Sequence, residues 1–538
     1  MKARIEDGVV YSPYPSVDIP VCSFYDLARE KLLTNPDKVA LVDGAASLTR
    51  FEVLVRMQRF AVGLRQHGVQ AGDRVCVHLK NSVENMIAMY GCVLAGATVV
   101  LAKTSLTQNE LRYQAQDSDS THILTDEEYA DKARQAVAEL SIKELFCMGR
   151  ATGFVCASNF SALNEQEFEE VPVIDPRSTV LAVCYTSGTT GLPKGAEITH
   201  YNYVAYFCTS RLHLPWGEND VLLGQCPIMH GSGMVIIFAA LMDGTTCAVI
   251  PSGLTPLEIM DAVDKYKATA AFLFPSELQG MVREMQRTGR GLPSMRGIAV
   301  GGSVLPTTVA EAARQAFSGV ENFLNMYGMT EACGILTSQP KNDKQHTDND
   351  VGIPTTMVEI RVVDLATGHR LGPHQTGEIC YRNSSAVKSY HKRPKETAEL
   401  FDEEGWYRSG DAGYYDEDGR FYIVDRLKQM IKCMDNQVVP AELEELLLRE
   451  YGAEIAEVCV VGIPHSELGE APAAAVILTE KGHECDRQYL AESIKDTVKR
   501  NLAVHKHLYG GVYFVESLPK TETGKYTRSA LSRSLVAA

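Results

Sequence analysis

The sequence predicts an α/β protein of at least two domains. Three observations carry that expectation: the length, an alternation of strand-like and helix-like periods through the middle of the chain, and a change of texture towards its end. At 538 residues the chain exceeds the roughly 250–300 residues at which a single core stops growing. Apolar β-branched runs at 181–185, 245–250, 269–274 and 297–300 alternate with amphipathic runs, the pattern of a sheet with helices on its faces. Leu257, Ile259, Met260, Val263 and Tyr266 recur near helical spacing, as do Val309, Ala312, Ala313 and Phe317 after Pro306, and are read as packing faces. Between 351 and 390 short β-like runs are broken by Gly352, Pro354, Gly368, Gly372, Pro373 and Gly377, which predicts a small, β-barrel-like subdomain. The charged segment 388–404 that follows reads as a solvated loop and helix start. Beyond Asp425 the pattern resets to a helix at 440–451, strands at 456–463 and 473–478, a helix at 486–502 and a strand at 512–515. That is an α+β domain of about 110 residues, large enough to fold alone. The expected division is 1–424 and 425–538.

Composition narrows the functional classes. Hydrophobic, aromatic and charged fractions of 45%, 8% and 22% exclude collagen-like, disordered and membrane-embedded chains. A formal net charge of −16 opposes bulk attraction to nucleic acid or an anionic membrane, so any anionic ligand must meet a local site. The fourteen cysteines are scattered, without the close pairs of zinc or redox sites, which fits a reduced, cytoplasmic thiol set. The first twenty residues show acidic residues and prolines rather than a charged leader and apolar core, so no signal peptide is expected. The longest apolar stretch, 86–102, contains Gly91 and Gly96 and changes from helix-like to Val-rich composition at 95–96. It reads as a buried helix feeding a buried strand, not a transmembrane segment. The terminal Val536-Ala537-Ala538 is not a peroxisomal address.

The most informative segment runs from Tyr185 through Thr186, Ser187, Gly188, Thr189, Thr190 and Gly191 to Lys194 and Gly195. Small residues after a strand let backbone N–H groups approach a polyphosphate, hydroxyls add donors, and Lys194 supplies a charge on a flexible stem. The nucleotide-triphosphatase loop needs Gly before its Lys and Ser or Thr after it; here Pro193 and Gly195 stand there.

This eleven-residue run resembles the phosphate loop of the adenylate-forming superfamily, which includes acyl-CoA synthetases, 4-coumarate-CoA ligases and beetle luciferases. Further segments arrive in that family's order across nearly the whole chain. Gly301-Gly302-Ser303 is similar to its adenine-side turn. The run Asn325 to Glu331 resembles its aromatic-acid motif, which implies that Tyr327 stacks on adenine beside Gly328, that Thr330 contacts the α-phosphate, and that Glu331 with Thr186 helps hold Mg²⁺. Asp411 matches the acid that accepts from both ribose hydroxyls, a task suited to two acceptor oxygens. Asp425 matches the hinge pivot, with Arg426 and Lys428 directed at the nucleotide, and Lys525 matches the lysine that a mobile C-terminal domain carries into the site. The segment 226–234 is similar to the gate of the acyl pocket, which implies His230 at the gate and Ser232, Gly233, Met329 and Gly334 around the acyl group. Ser232 stands where beetle luciferases have an aromatic residue, so a more open pocket is expected.

The resemblance implies two half-reactions on ATP, a small-molecule carboxylic acid and coenzyme A. The acid attacks the α-phosphorus, releasing pyrophosphate, and a thiol then displaces AMP. Because two anions must meet, charge handling dominates. In the second step the C-terminal domain turns about Asp425 and presents Lys432 and Gln437. Between those two the family usually has Lys-Gly before an aromatic residue, where this chain has Met434, Asp435 and Asn436. Gly permits positive φ, which Asp and Asn tolerate better than most. The leading expectation is an acyl- or aryl-CoA ligase. The alternatives are adenylation alone, a luciferase-like activity, or a non-catalytic nucleotide- or fatty-acid-binding relative.

Overall fold

The computed structural model describes residues 1–538 apart from Ala45, 187–191, 344–346, Asp348, Asp435, Glu522, Thr523 and Ala538. Two large α/β sheets form its centre. The seven-stranded sheet runs, edge to edge, Lys194–Thr199, Val180–Thr186, Thr98–Leu101, Arg74–His78, His122–Thr125, Glu144–Cys147 and Val155–Cys156. All its pairings are parallel except the first. The nine-stranded sheet has a parallel centre, Asn322–Met329, Gly297–Val300, Ala270–Leu273, Val221–Gly224, Thr246–Val249 and Val39–Asp43. Antiparallel strands flank it on both sides.

The apolar stretch at 86–102 shows how sequence becomes this architecture. The helix Val83–Leu94 is buried along almost its whole length, ends at Ala95, turns at Gly96 with φ +86°, and delivers the buried strand Thr98–Leu101. An aromatic hub locks it to its neighbours: Phe24 stacks on Tyr90 at 4.9 Å and meets Tyr203 and Phe238, each at 5.2 Å. Such ring pairs add about 0.5–1.5 kcal/mol each beyond area burial. The Tyr90 hydroxyl donates to Met234 O at 2.5 Å, so burying it costs no hydrogen bond. No helix among the described residues is long and apolar enough to cross a membrane.

The small β subdomain is a six-stranded antiparallel sheet, in the order Arg4–Glu6, Val9–Tyr11, Glu359–Val363, Gly377–Arg382, Tyr407–Tyr415 and Phe421–Arg426. Its first two strands come from the N-terminus, to which the sequence reading assigned no structure; three-residue strands are too short to show a period. The segment 388–404 departs from the solvated loop expected of it. Tyr390, His391 and Leu400 are buried there, and Pro394–Ala398 forms a single short helix. Charge counting missed it because the His391 ring pairs with Glu197 at 2.8 Å, which pays for its burial.

Residues 431–514 build a five-stranded sheet in which Gly469–Leu478 is flanked by Ile455–His465 and, in parallel, by Gly511–Phe514. The helices Pro440–Tyr451 and Arg487–Asn501 cover it. A closing helix, Arg528–Ala537, was not anticipated.

Val10 is fully buried and pairs with Ile360 in the core of the six-stranded sheet. Val10→Asp should destabilise the protein by on the order of 3–5 kcal/mol, because an unpaired carboxylate would enter an apolar core. An unchanged denaturant midpoint would show that the N-terminal strands are dispensable.

Candidate active site

Several of the residues singled out by sequence, among them Thr186, His230, Gly302 and Tyr327, stand at or beyond the carboxyl ends of parallel strands in the two large sheets, where open α/β sheets bind ligands. Thr186 ends one strand and is paired in register with Lys194 on its antiparallel neighbour. Ser187, Gly188, Thr189, Thr190 and Gly191 lie outside the described residues. The Thr186 hydroxyl donates to Glu331 Oε1 at 3.1 Å, and the Tyr390 hydroxyl donates to the same oxygen at 2.7 Å. The Lys194 ammonium lies 5.3 Å from the centroid of the Tyr390 ring. One carboxylate oxygen therefore joins the edge of the phosphate loop, on one sheet, to the end of Asn322–Met329 on the other.

Among the residues expected at the nucleotide, the Tyr327 hydroxyl donates to Asp411 Oδ2 at 2.7 Å, and Arg426 Nε lies 3.1 Å from Asp411 Oδ1. Burial pushes the Asp411 carboxyl up, while Arg426 and the Tyr327 bond pull it back. Arg426 is raised chiefly by Asp411, and the Lys428 ammonium is pushed down by burial and by Arg426. Gly302, at φ +97°, follows the strand Gly297–Val300; a Cβ there would stand 2.8 Å from the Phe274 ring and 3.7 Å from Lys525 Cε. Ser303 is exposed beside it. Gly328 must lack a side chain, because a Cβ would fall 2.2 Å from Gly334 O across the pair Met329–Gly334. Gly334 in turn presses on the Tyr206 ring, and Met329 and Thr330 are half-buried between these groups.

Among the residues expected at the acyl group, His230 caps the helix Gly231–Met242. Its Nδ1 accepts from the Ser232 N–H at 3.2 Å and lies 2.7 Å from Ser232 Oγ. The ring proton therefore resides on Nε2. Burial, reinforced by the charges of Lys103 and Lys525, pushes the imidazole down to about 3, so His230 is neutral at physiological pH. The Ser232 hydroxyl is engaged by this ring rather than simply leaving room. Gly233 is fixed by backbone proximity, since a Cβ would come within 2.0 Å of Pro227 O.

Lys525 reaches this cluster from the five-stranded domain. Burial pushes its ammonium down to about 8; Arg426 and Lys103 add to the shift, and Asp411 and Glu331 oppose it. Asp425, beside Arg426 on Phe421–Arg426, is buried, accepts from the Arg426 N–H at 2.7 Å and is pushed up to about 6 by burial, with Arg528 opposing. Lys432 and Gln437 pair across the hairpin of Ile431–Cys433 and Asn436–Val438 and are exposed, away from the cluster. The left-handed residue of that turn is Met434, at φ +52°, and Asn436 Nδ2 donates to its carbonyl at 2.6 Å. Asp435 lies outside the described residues.

Two residues escaped the sequence reading. Tyr390 was hidden in a charged segment, where a lone aromatic between Ser389 and His391 was the available signal. Lys103 stands two residues past the strand Thr98–Leu101, and a cation just beyond a buried parallel strand is a recognisable site position.

Residues 28–391 match the family model for AMP-binding enzymes, and residues 442–525 match the model for the AMP-binding enzyme C-terminal domain. A 4-coumarate–CoA ligase 1 of Petroselinum crispum is 31% identical over 542 residues, covering 98% of this chain and 96% of that protein. A probable 4-coumarate–CoA ligase 2 of Dictyostelium discoideum is 27% identical over 554 residues, 98% of each. The crystal structure of ATP-bound MatB from Rhodopseudomonas palustris has a TM-score of 0.83 and 26% identity, covering 95% of this chain and 98% of that one. With two thirds of its length under the first model and the order of its motifs preserved to Lys525, the chain belongs to the AMP-binding enzyme family.

Proposed function

We propose that the protein is an ATP-dependent carboxylic acid–CoA ligase, which forms an acyl-adenylate with release of pyrophosphate and then an acyl-CoA thioester with release of AMP. The observation that carries this reading is the convergence of Glu331, Asp411, Arg426 and Lys525 beside the end of the phosphate loop. Its substrate is a fatty or aryl carboxylic acid; the 4-coumarate–CoA ligases among its relatives favour the aryl class.

In the first half-reaction Asp411 would accept from the ribose hydroxyls and Tyr327 would line the adenine site. The Lys525 ammonium would bridge the attacking carboxylate and the α-phosphate, stabilising charge that grows in the transition state. Lys194 and the loop 186–190 would hold the departing phosphates. The donor set fits Mg²⁺: no group of three or more His, Cys, Asp or Glu stands ready to cage a metal among the described residues, and this ion is usually held by one or two carboxylates together with substrate phosphates. Glu331 and the Thr186 hydroxyl would hold it, and it would supply neutralisation of phosphate charge.

The neutral His230 suits a gate that must pass an uncharged acyl group without acting as an acid. For the second half-reaction we assign residues 1–424 and 425–538 to two domains that turn about Asp425, withdrawing Lys525 and presenting Lys432 and Gln437. Asp425 lies on the last strand of the six-stranded sheet, immediately before the chain leaves it, which supports a pivot there. The fourteen unpaired cysteines support a cytoplasmic location.

A panel containing 4-coumarate, benzoate, octanoate and malonate should reveal acid-dependent pyrophosphate release and, with CoA added, a thioester by mass. Lys525→Ala should cut pyrophosphate release by on the order of a hundredfold or more, the equivalent of about 3 kcal/mol of lost transition-state stabilisation; an active variant would remove the role given to this lysine.

Because Lys525 is charged below its depressed pKa and neutral above it, kcat/KM for adenylation should decline as pH rises through about 8. The declining limb should vanish from the residual activity of Lys525→Gln. A profile flat to pH 9.5 in the unsubstituted enzyme would contradict the assignment.

A further inference from the structure

The position of Lys525 depends on how the C-terminal domain is seated, and that seat includes, beside the approach of Thr307–Ala316 to Pro440–Tyr451, one further helix of the large domain, Pro275–Thr288. Two of its residues touch the C-terminal domain, and they lie seven positions apart, on one face two turns from each other. At its start, Ser276 packs so closely on Gly524, whose φ is +70°, that a Cβ on Gly524 would stand 2.0 Å from Ser276 Oγ. Further along, the Arg283 guanidinium donates from Nη2 to the Ala456 carbonyl on the strand Ile455–His465.

The next residue on that strand, Glu457, connects Arg283 to the lysine loop. Its carboxylate accepts from the Tyr526 hydroxyl at 3.2 Å and pairs with Lys520 at 2.5 Å. Lys520 and Tyr526 form an antiparallel bridge that closes the loop, and within it the Thr521 N–H donates to Lys525 O at 2.8 Å while the Lys525 N–H donates to Thr521 Oγ1 at 3.2 Å. Arg283 is half-buried, and the charge of Glu457 acts on it against the cost of that burial. Polar contacts, linked through the chain from Ala456 to Glu457, thus run from the large domain to the residue before Tyr526.

We propose that Arg283 is a positioning residue for adenylation: by holding Ala456 O and facing Glu457, it sets the register in which the loop 520–526 delivers Lys525. Arg283 touches no substrate. Its contacts exist in the orientation that puts Lys525 in the site, and they must break when the domain turns, so it acts on the first half-reaction alone. This rests on the two-step ligase reading above.

With the acid found in the panel, Arg283→Met should lower acid-dependent ATP–pyrophosphate exchange by about tenfold or more, the scale of loss that ångström misplacement of a catalytic group produces. CoA thioester formation from the chemically prepared acyl-adenylate should stay within about twofold of the unsubstituted enzyme. A general packing defect would depress both steps together; that outcome, or exchange left unchanged, overturns the proposal. A second measurement needs no acid: tryptic cleavage after Lys525, followed by intact mass, should accelerate about fivefold or more as the loop leaves its seat, and an unaltered rate likewise overturns it. If the unsubstituted enzyme exchanges no pyrophosphate with any acid, the ligase reading fails while the cleavage measurement still decides the seat.

Discussion

Asp411 and Arg426 face each other across neighbouring antiparallel strands, and the rest of the site is built around that pair. The register of Tyr407–Tyr415 with Phe421–Arg426 puts the acid opposite the guanidinium. Tyr327 reaches the same carboxylate from the nine-stranded sheet. Arg426 is also the last residue of its strand before the chain passes to the C-terminal domain. One ion pair therefore ties this side of the cleft to the point where the chain leaves the six-stranded sheet for the C-terminal domain. Its partial burial gives it weight, since an exposed pair would be screened and loosely held.

The cleft is where four sheets meet, and its charged groups are held by partners from other sheets. Glu331 is held by hydroxyls from Thr186 and Tyr390, Asp411 by Tyr327 and Arg426, and Lys525 is depressed by burial and, after it, by cations, while Asp411 and Glu331 draw it back. This near-balance lets a half-buried site remain folded before any ligand arrives, yet leaves cationic groups placed for phosphates. In a chain of net charge −16, such local reversal is what admits a polyanion.

Much of this was legible in the sequence, and the reasons differ by element. The parallel strands were readable because buried strands are continuous β-branched runs bounded by Gly and Pro. The helix Pro256–Tyr266 announced itself through its apolar spacing, and Pro440–Tyr451 through its proline start. The motif residues were readable because spacing and order survive in one dimension. What sequence could not show is which distant groups complete them: Tyr390 on Glu331, Lys103 facing His230 and Lys525, and Arg283 under the lysine loop. Each depends on a contact between segments separated by more than fifty residues, with no local period to betray it. The turn at 434–436 was legible only in part; among its described residues Met434 takes the left-handed geometry, though its side chain does not favour it.

The pairing of Val9–Tyr11 with Glu359–Val363 has a consequence for how the molecule is made. Val10 emerges from the ribosome roughly 350 residues before its partner, a wait on the order of 20–70 s at ordinary rates of synthesis. Through that interval an apolar strand with open edges has no sheet to join, the condition under which strands find the wrong company. The strand Val9–Tyr11 is thus open to wrong pairings through most of the synthesis that completes its sheet.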